Sequence, residues 1–337
     1  MDEAGYYAAA PPQPAARELA YHELHLAGPR GPWRPVLGVV LAVFGVFVLA
    51  PLGWLFVFTI GYAVSGQPVA EALERLQDST NPTPAFLAYL NLVLASAIPV
   101  VWLISFALHR LTPGWLSSIA PRIRWRYFAA CLGLSVIALL ATLAVTAVLP
   151  SAGAGTDLEG NVNDFTTTTR DFVLVVLLLT PLQAAGEEYL FRGYLTQAFG
   201  GLFGSRVVSV VLAVLLPALL FGLAHGVQDP PIFFDRFAFG VVAGVLVIAT
   251  GGLEAALAMH VLNNFLAFGL ALAFADMGSA LNPTGGSWWS LPGTLTQSLV
   301  YLGLALVVAR RMGLRARVPE AVLVRPEARM YRSSSAP

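Results

Sequence analysis

Three short stretches set proton-carrying and hydrogen-bonding side chains among apolar neighbours. They are Glu187-Glu188-Tyr189-Leu190-Phe191-Arg192, Phe221-Gly222-Leu223-Ala224-His225 and His260-Val261-Leu262-Asn263-Asn264. Helical residues four apart share a face, so Glu188 can pair with Arg192. Glu187 points about 100° away and is left without a partner on its own helix. The same spacing lets His260 and Asn264 present donors to one side, while Asn263 faces elsewhere. Glu and His side chains can take a proton from water. An imidazole and a carboxamide can donate to an oxyanion. Water, base and oxyanion donors together describe hydrolysis of a peptide bond without a serine or cysteine nucleophile. Glu187, His225 and His260 could equally bind Zn2+, since three protein ligands and a water make a catalytic zinc site.

The elements that must position these groups are membrane helices. Of 337 residues, 57% are hydrophobic and 11% charged, against about 25% charged in a soluble domain. The expected fold class is therefore all-α, a polytopic membrane helix bundle. A span needs about 20 mostly apolar residues, and eight stretches qualify. They are Val36–Val64 (with Pro51 as a kink), Ala85–Leu108, Tyr127–Leu149, a span from Asp171 into the Glu187 stretch, Val207–His225, a short Phe237–Thr250, Leu253–Phe274 and Pro292–Met312. Ionisable groups in such spans cost about 2.5 kcal/mol or more each, so a helix that keeps several is using them. The expected organisation is a mobile cytoplasmic tail over 1–35, a three-helix membrane region over 36–165, a catalytic membrane domain over 166–312 and a basic tail over 313–337.

Loop charge sets orientation. With both termini inside, the inner segments hold 15 arginines and the outer ones 3, Arg75, Arg170 and Arg236. This places both termini in the cytoplasm of a multi-pass plasma-membrane protein. Lysine is absent, and all 19 basic residues are arginine, a composition read as bacterial. A net charge of zero argues against nucleic acid as a partner. The lone Cys131 reads as a buried hydrophobe and excludes an internal disulfide. No apolar segment of signal-peptide type precedes Val36. His22-Glu23-Leu24-His25 has the wrong spacing for a zinc-binding helix, whose His residues are four apart. Trp288 and Trp289 read as interfacial anchors, and Gly240 with Gly244 as a close helix contact within the chain.

Taken in order on successive membrane helices, Glu-Glu-x-x-x-Arg, Phe-x-x-x-His and His-x-x-x-Asn resemble the CPBP family of intramembrane proteases. That family includes CAAX prenyl endopeptidases and bacterial members linked to bacteriocin immunity. The resemblance covers residues 168–275. It implies Glu187 as the catalytic glutamate, His225 as its partner in activating water, His260 and Asn264 as the oxyanion pair, and Glu188 with Arg192 in support. A glutamate mechanism without metal is favoured, because a carboxamide is a poor zinc ligand but a good donor. The implied partners are the lipid bilayer and a membrane-bound or lipidated, CAAX-like protein or peptide substrate. A non-catalytic scaffold or immunity protein is the principal alternative. A proton-coupled transporter would need polar groups in both halves, and the first three spans hold no acidic residue. One expectation strains: counted by helical rise, His225 falls nearer the outer face than Glu187 and His260.

Overall fold

The computed structural model describes residues 17–148, 162–226 and 228–323. Eight helices in it are long and apolar enough to cross a membrane. They are α1 Trp33–Val64, α2 Pro84–His109, α3 Trp125–Thr146, α4 Thr167–Gly200, α5 Arg206–Leu223, α6 Pro230–Thr250, α7 Glu254–Phe274 and α8 Trp288–Arg311. The all-α membrane bundle expected from the sequence is the observed fold. The expected end of the third span, at Leu149, lies outside the described residues.

Prolines shape several of these helices. Pro51 cannot donate to the carbonyl four residues back, and α1 absorbs the defect as a π-helical turn over Gly45–Leu49. In α2 the helix breaks at Ser96, between Pro84–Ala95 and Ala97–His109. Pro99, which cannot bond the Ala95 carbonyl, accounts for the break. The sixth span is not short. It begins at Pro230 and runs for 21 residues, because a proline is tolerated in the first turn of a helix. Arg236, expected in an outer loop, therefore lies inside α6.

Small residues bring key helices into backbone contact. A Cβ on Gly186 would collide with the Leu94 carbonyl of α2, so the helix carrying Glu187 lies directly on α2. A Cβ on Gly240 would stand 2.9 Å from the Ala218 Cα of α5, and one on Gly244 would crowd Val214. These are the intrachain contacts expected of that pair.

The termini differ from their expected form. Residues 17–27, expected to be part of a mobile tail, hold a strand, β1 Glu18–Ala20, and a 3-10 helix over Tyr21–Ala27. From the other tail, β2 Arg317–Pro319 pairs antiparallel with β1, followed by a short helix over Glu320–Leu323. The reason is burial: Leu19, Tyr21 and Leu24 are fully inaccessible. The Tyr21 hydroxyl donates to the Leu116 carbonyl, and His22 packs against Gly200. His25 stacks on His109 with ring centroids 3.6 Å apart. This terminal cap closes the arginine-rich end of the bundle. Residues 1–16 and 324–337, the remainder of both expected tails, lie outside the described residues.

Candidate functional site

Glu187, His225, His260 and Asn264 all line one cavity of about 780 Å³. Every span except α3 contributes to its wall. The site is built on an antiparallel pairing of α4 with α7. Gln183 and Glu187 are four apart on α4, and His260 and Asn264 are four apart on α7, so the two faces meet in two rungs. In one rung the Asn264 Nδ2 donates to Gln183 Oε1 at 2.9 Å. In the other, His260 Nε2 lies 3.2 Å from Glu187 Oε2.

His260 is held from both sides. Its Nδ1 lies 2.8 Å from Glu188 Oε1, and that same oxygen accepts from Arg192 NH1 at 3.1 Å. The expected Glu188–Arg192 pair is thus present. Its role goes further than mutual neutralisation, because it fixes the His260 imidazole. A neutral imidazole has a single N–H, so His260 donates to both carboxylates only when it carries both ring protons. Arg192 is nearly inaccessible, and its guanidinium stacks over the Phe221 ring at 4.1 Å. Phe221 and Phe239 also wall His260, with ring centroids 5.9 Å and 5.3 Å away.

Around this cluster the helix loosens. Tyr189–Leu195 forms a π-helical stretch in the middle of α4, a geometry frequent at functional sites. It lets α4 run on to Gly200, 13 residues past Glu187. Glu187 therefore sits about 20 Å from the inner end of α4 at 1.5 Å per residue. Gly193 lies beside Leu253, at the start of α7. The inner parts of α4 and α5 thus project beyond α7; His225, about 28 Å from the start of α5 by the same rise, stays nearer the outer face than Glu187 while lining the same cavity.

His225 follows the last turn of α5. Its Nδ1 lies 2.8 Å from the Phe221 carbonyl, and its ring meets Phe221 edge-on at 4.8 Å. A carbonyl can only accept, so Nδ1 carries the hydrogen. That leaves Nε2 as an acceptor in the neutral ring.

Several residues of the cavity went unread in the sequence. Gln183 looks like any polar residue of a helix until its partner is known. Asp235 and Arg236 also line the cavity, hidden by placing the start of α6 too late. Arg236 NH1 donates to Gln228 Oε1 at 2.5 Å. Asn263 does face a different helix, accepting from Gln297 of α8, yet it too lines the cavity. Glu254 is buried in a bidentate pair with Arg124, at 2.8 Å and 2.6 Å. Arg124 NH1 also donates to the Thr250 carbonyl. This clamp fixes the turn from which α7, and so His260, departs.

The donor set bears on the zinc alternative. Both His260 nitrogens already face carboxylates, and among the described residues no three His, Cys, Asp or Glu side chains converge as a metal site. A metal-bound imidazole ordinarily gives its other nitrogen to a carboxylate, as His260 Nδ1 does to Glu188.

Fold and site together define a multi-pass helical membrane protein with a carboxylate–imidazole cluster on the floor of an intramembrane cavity. Residues 169–266 match the family described as type II CAAX prenyl endopeptidase Rce1-like. The match falls on the stretch whose motifs resemble the CPBP family. It is 26% identical over 289 residues to the Uncharacterized protein YyaK of Bacillus subtilis (strain 168), covering 81% of this chain and 91% of that protein. It is 25% identical over 136 residues to the membrane-embedded CAAX protease MroQ of Staphylococcus aureus (strain USA300), covering 40% of this chain and 54% of that one. No solved structure matches. These matches support a membrane endopeptidase in general, with a bilayer environment and a protein substrate, in a multi-pass bacterial membrane protein.

Proposed function

We propose that the chain hydrolyses a peptide bond of a membrane-associated or lipidated, CAAX-like protein or peptide by a glutamate mechanism. The observation that carries this reading is the shared floor of the cavity, where Glu187 meets His260 while His225 and Asn264 face the same space. A water between Glu187 and the free Nε2 of His225 would give up a proton to Glu187 as its oxygen attacks the carbonyl carbon. Protonated Glu187 then loosens its hold on His260 Nε2–H. That donor, with the second Asn264 N–H, becomes available to the oxyanion just as charge develops. Collapse of the tetrahedral intermediate breaks the C–N bond, and the proton moves from Glu187 to the leaving amine. Glu188 and Arg192 keep the imidazole in place throughout. Both termini lie in the cytoplasm on this reading, which the arginine distribution supports.

The test compares membrane-protein N-termini in cells carrying wild type or Glu187→Gln at matched expression. Loss of specific termini in the variant supports the protease and identifies substrates. Unchanged termini with an intact cellular phenotype would favour the scaffold reading. Cleavage in detergent should survive a chelator; inhibition reversed by added Zn2+ would overturn the metal-free mechanism.

A further inference from the structure

The cavity is closed at one end and open at the other. On the arginine-rich side every residue of α4 from Gly186 to Ala198 is buried, as are Glu254, Ala255, Ala256 and Ala258 to Val261 of α7. The terminal cap lies beyond them, with His22 against Gly200 and Tyr21 bonded to the Leu116 carbonyl. At the opposite end the cavity wall is accessible. Ala224, His225 and Ala267 are exposed there, and Ala280, Leu281 and Thr294 are half-buried. These six sit at the end of α5, in the second half of α7, in the α7–α8 connection and near the start of α8. All lie toward the face with 3 arginines, away from the face with 15.

We propose that the site is fed from the non-cytoplasmic side, its substrate being an extended polypeptide segment on the outer flank of a membrane-anchored or exported protein. This rests on the protease reading of the site, but the direction of entry stands on packing and loop charge. The route from the mouth to Glu187 passes apolar side chains, Leu94, Leu266 and Leu270, which suit apolar residues near the scissile bond. A cytoplasmic peptide would have to cross the packed floor and the cap.

Single cysteines test the direction without any knowledge of the substrate. In a Cys131→Ala background, Ala267→Cys and Ala280→Cys probe the cavity. Ser79→Cys reports the outer loop and Ser205→Cys the inner loop. Intact cells, or spheroplasts where an outer membrane is present, are treated with a membrane-impermeant maleimide and then permeabilised. The expected result is labelling at positions 79, 267 and 280 in intact cells at least tenfold faster than at 205, which reacts only after permeabilisation. Cavity positions that react only after permeabilisation, with the controls in order, would overturn the proposal. So would reversed controls, which would invert the orientation, or cavity positions that never react while Ser79→Cys does. Using two cavity positions guards against one misfolded variant. Unchanged termini with Glu187→Gln would remove the protease reading and leave the labelling pattern as it is.

Discussion

Glu187 and Glu188 are neighbours in sequence, yet replacing each by Gln should have different consequences. Glu188 Oε1 accepts from Arg192 and faces His260 Nδ1, at 3.1 Å and 2.8 Å. Both Glu188 and Arg192 are nearly inaccessible. Glu188→Gln keeps the size and one acceptor but leaves Arg192 a buried cation without its anion. Breaking a buried pair from one side costs about 3–5 kcal/mol. At roughly 2–3 °C per kcal/mol for a chain of this size, the unfolding midpoint should fall by about 6–15 °C. Glu187 has a single contact, 3.2 Å to His260, and borders the cavity. Its change to Gln removes one charge-assisted hydrogen bond while His260 keeps Glu188, so stability should fall by about 1.5–3 kcal/mol, less than for Glu188→Gln. It should lower turnover about 10²–10⁴-fold, as expected on losing a general base. Thermal unfolding in detergent can be followed with a thiol-reactive dye, because the chain's one cysteine, Cys131, is buried and becomes reactive only on unfolding. Equal midpoint losses in the two variants, or a neutral Glu188→Gln, would refute the division of labour argued for the two carboxylates.

Other outcomes follow from the same geometry. Asn264→Ala should cost about 10²–10³ in turnover with the midpoint little changed, the loss typical of one oxyanion donor; single-turnover cleavage checks it. Gly186→Ala should destabilise by about 1–3 kcal/mol, as overpacking does, because its Cβ meets the Leu94 backbone; the dye assay reads it. Burial, reinforced by the neighbouring His109, holds the His25 imidazole well below its ordinary value of 6.5. The unfolded ring therefore binds a proton below about pH 6.5 while the folded ring does not. Stability should be full above that pH and fall as the solution is acidified. His25→Phe, which keeps a ring against His109, should flatten the acid side of a midpoint-against-pH plot.

The membrane bundle was plain in the sequence because an apolar run of span length has few other uses, and seven of the eight spans started within a few residues of their observed starts. The exception, α6, begins seven residues earlier than expected, with Pro230 and Pro231 in its first turn. The four cavity residues were legible from their cost: ionisable groups persist in apolar helices only where something uses them. Their partners were not. Gln183 acquires meaning only from the register of α4 on α7, and Arg124 only from the fold of a loop 130 residues away from Glu254. The burial of Tyr21–Ala27 was equally out of reach, because the surface that covers it comes from α4 and α2.

That last pairing sets an order of assembly. Tyr21–Ala27 is synthesised 173 residues before Gly200, the end of the helix it packs on. At roughly 5–20 residues per second, it waits about 10–35 s for that surface. The last strand of the cap, β2, is synthesised after all eight spans, the last of which ends at Arg311, so the seal closes only once the bundle's helices have been made. A ribosome stalled before Arg317 would leave an inserted bundle with its inner end unlatched and Leu19, Tyr21 and Leu24 less firmly covered.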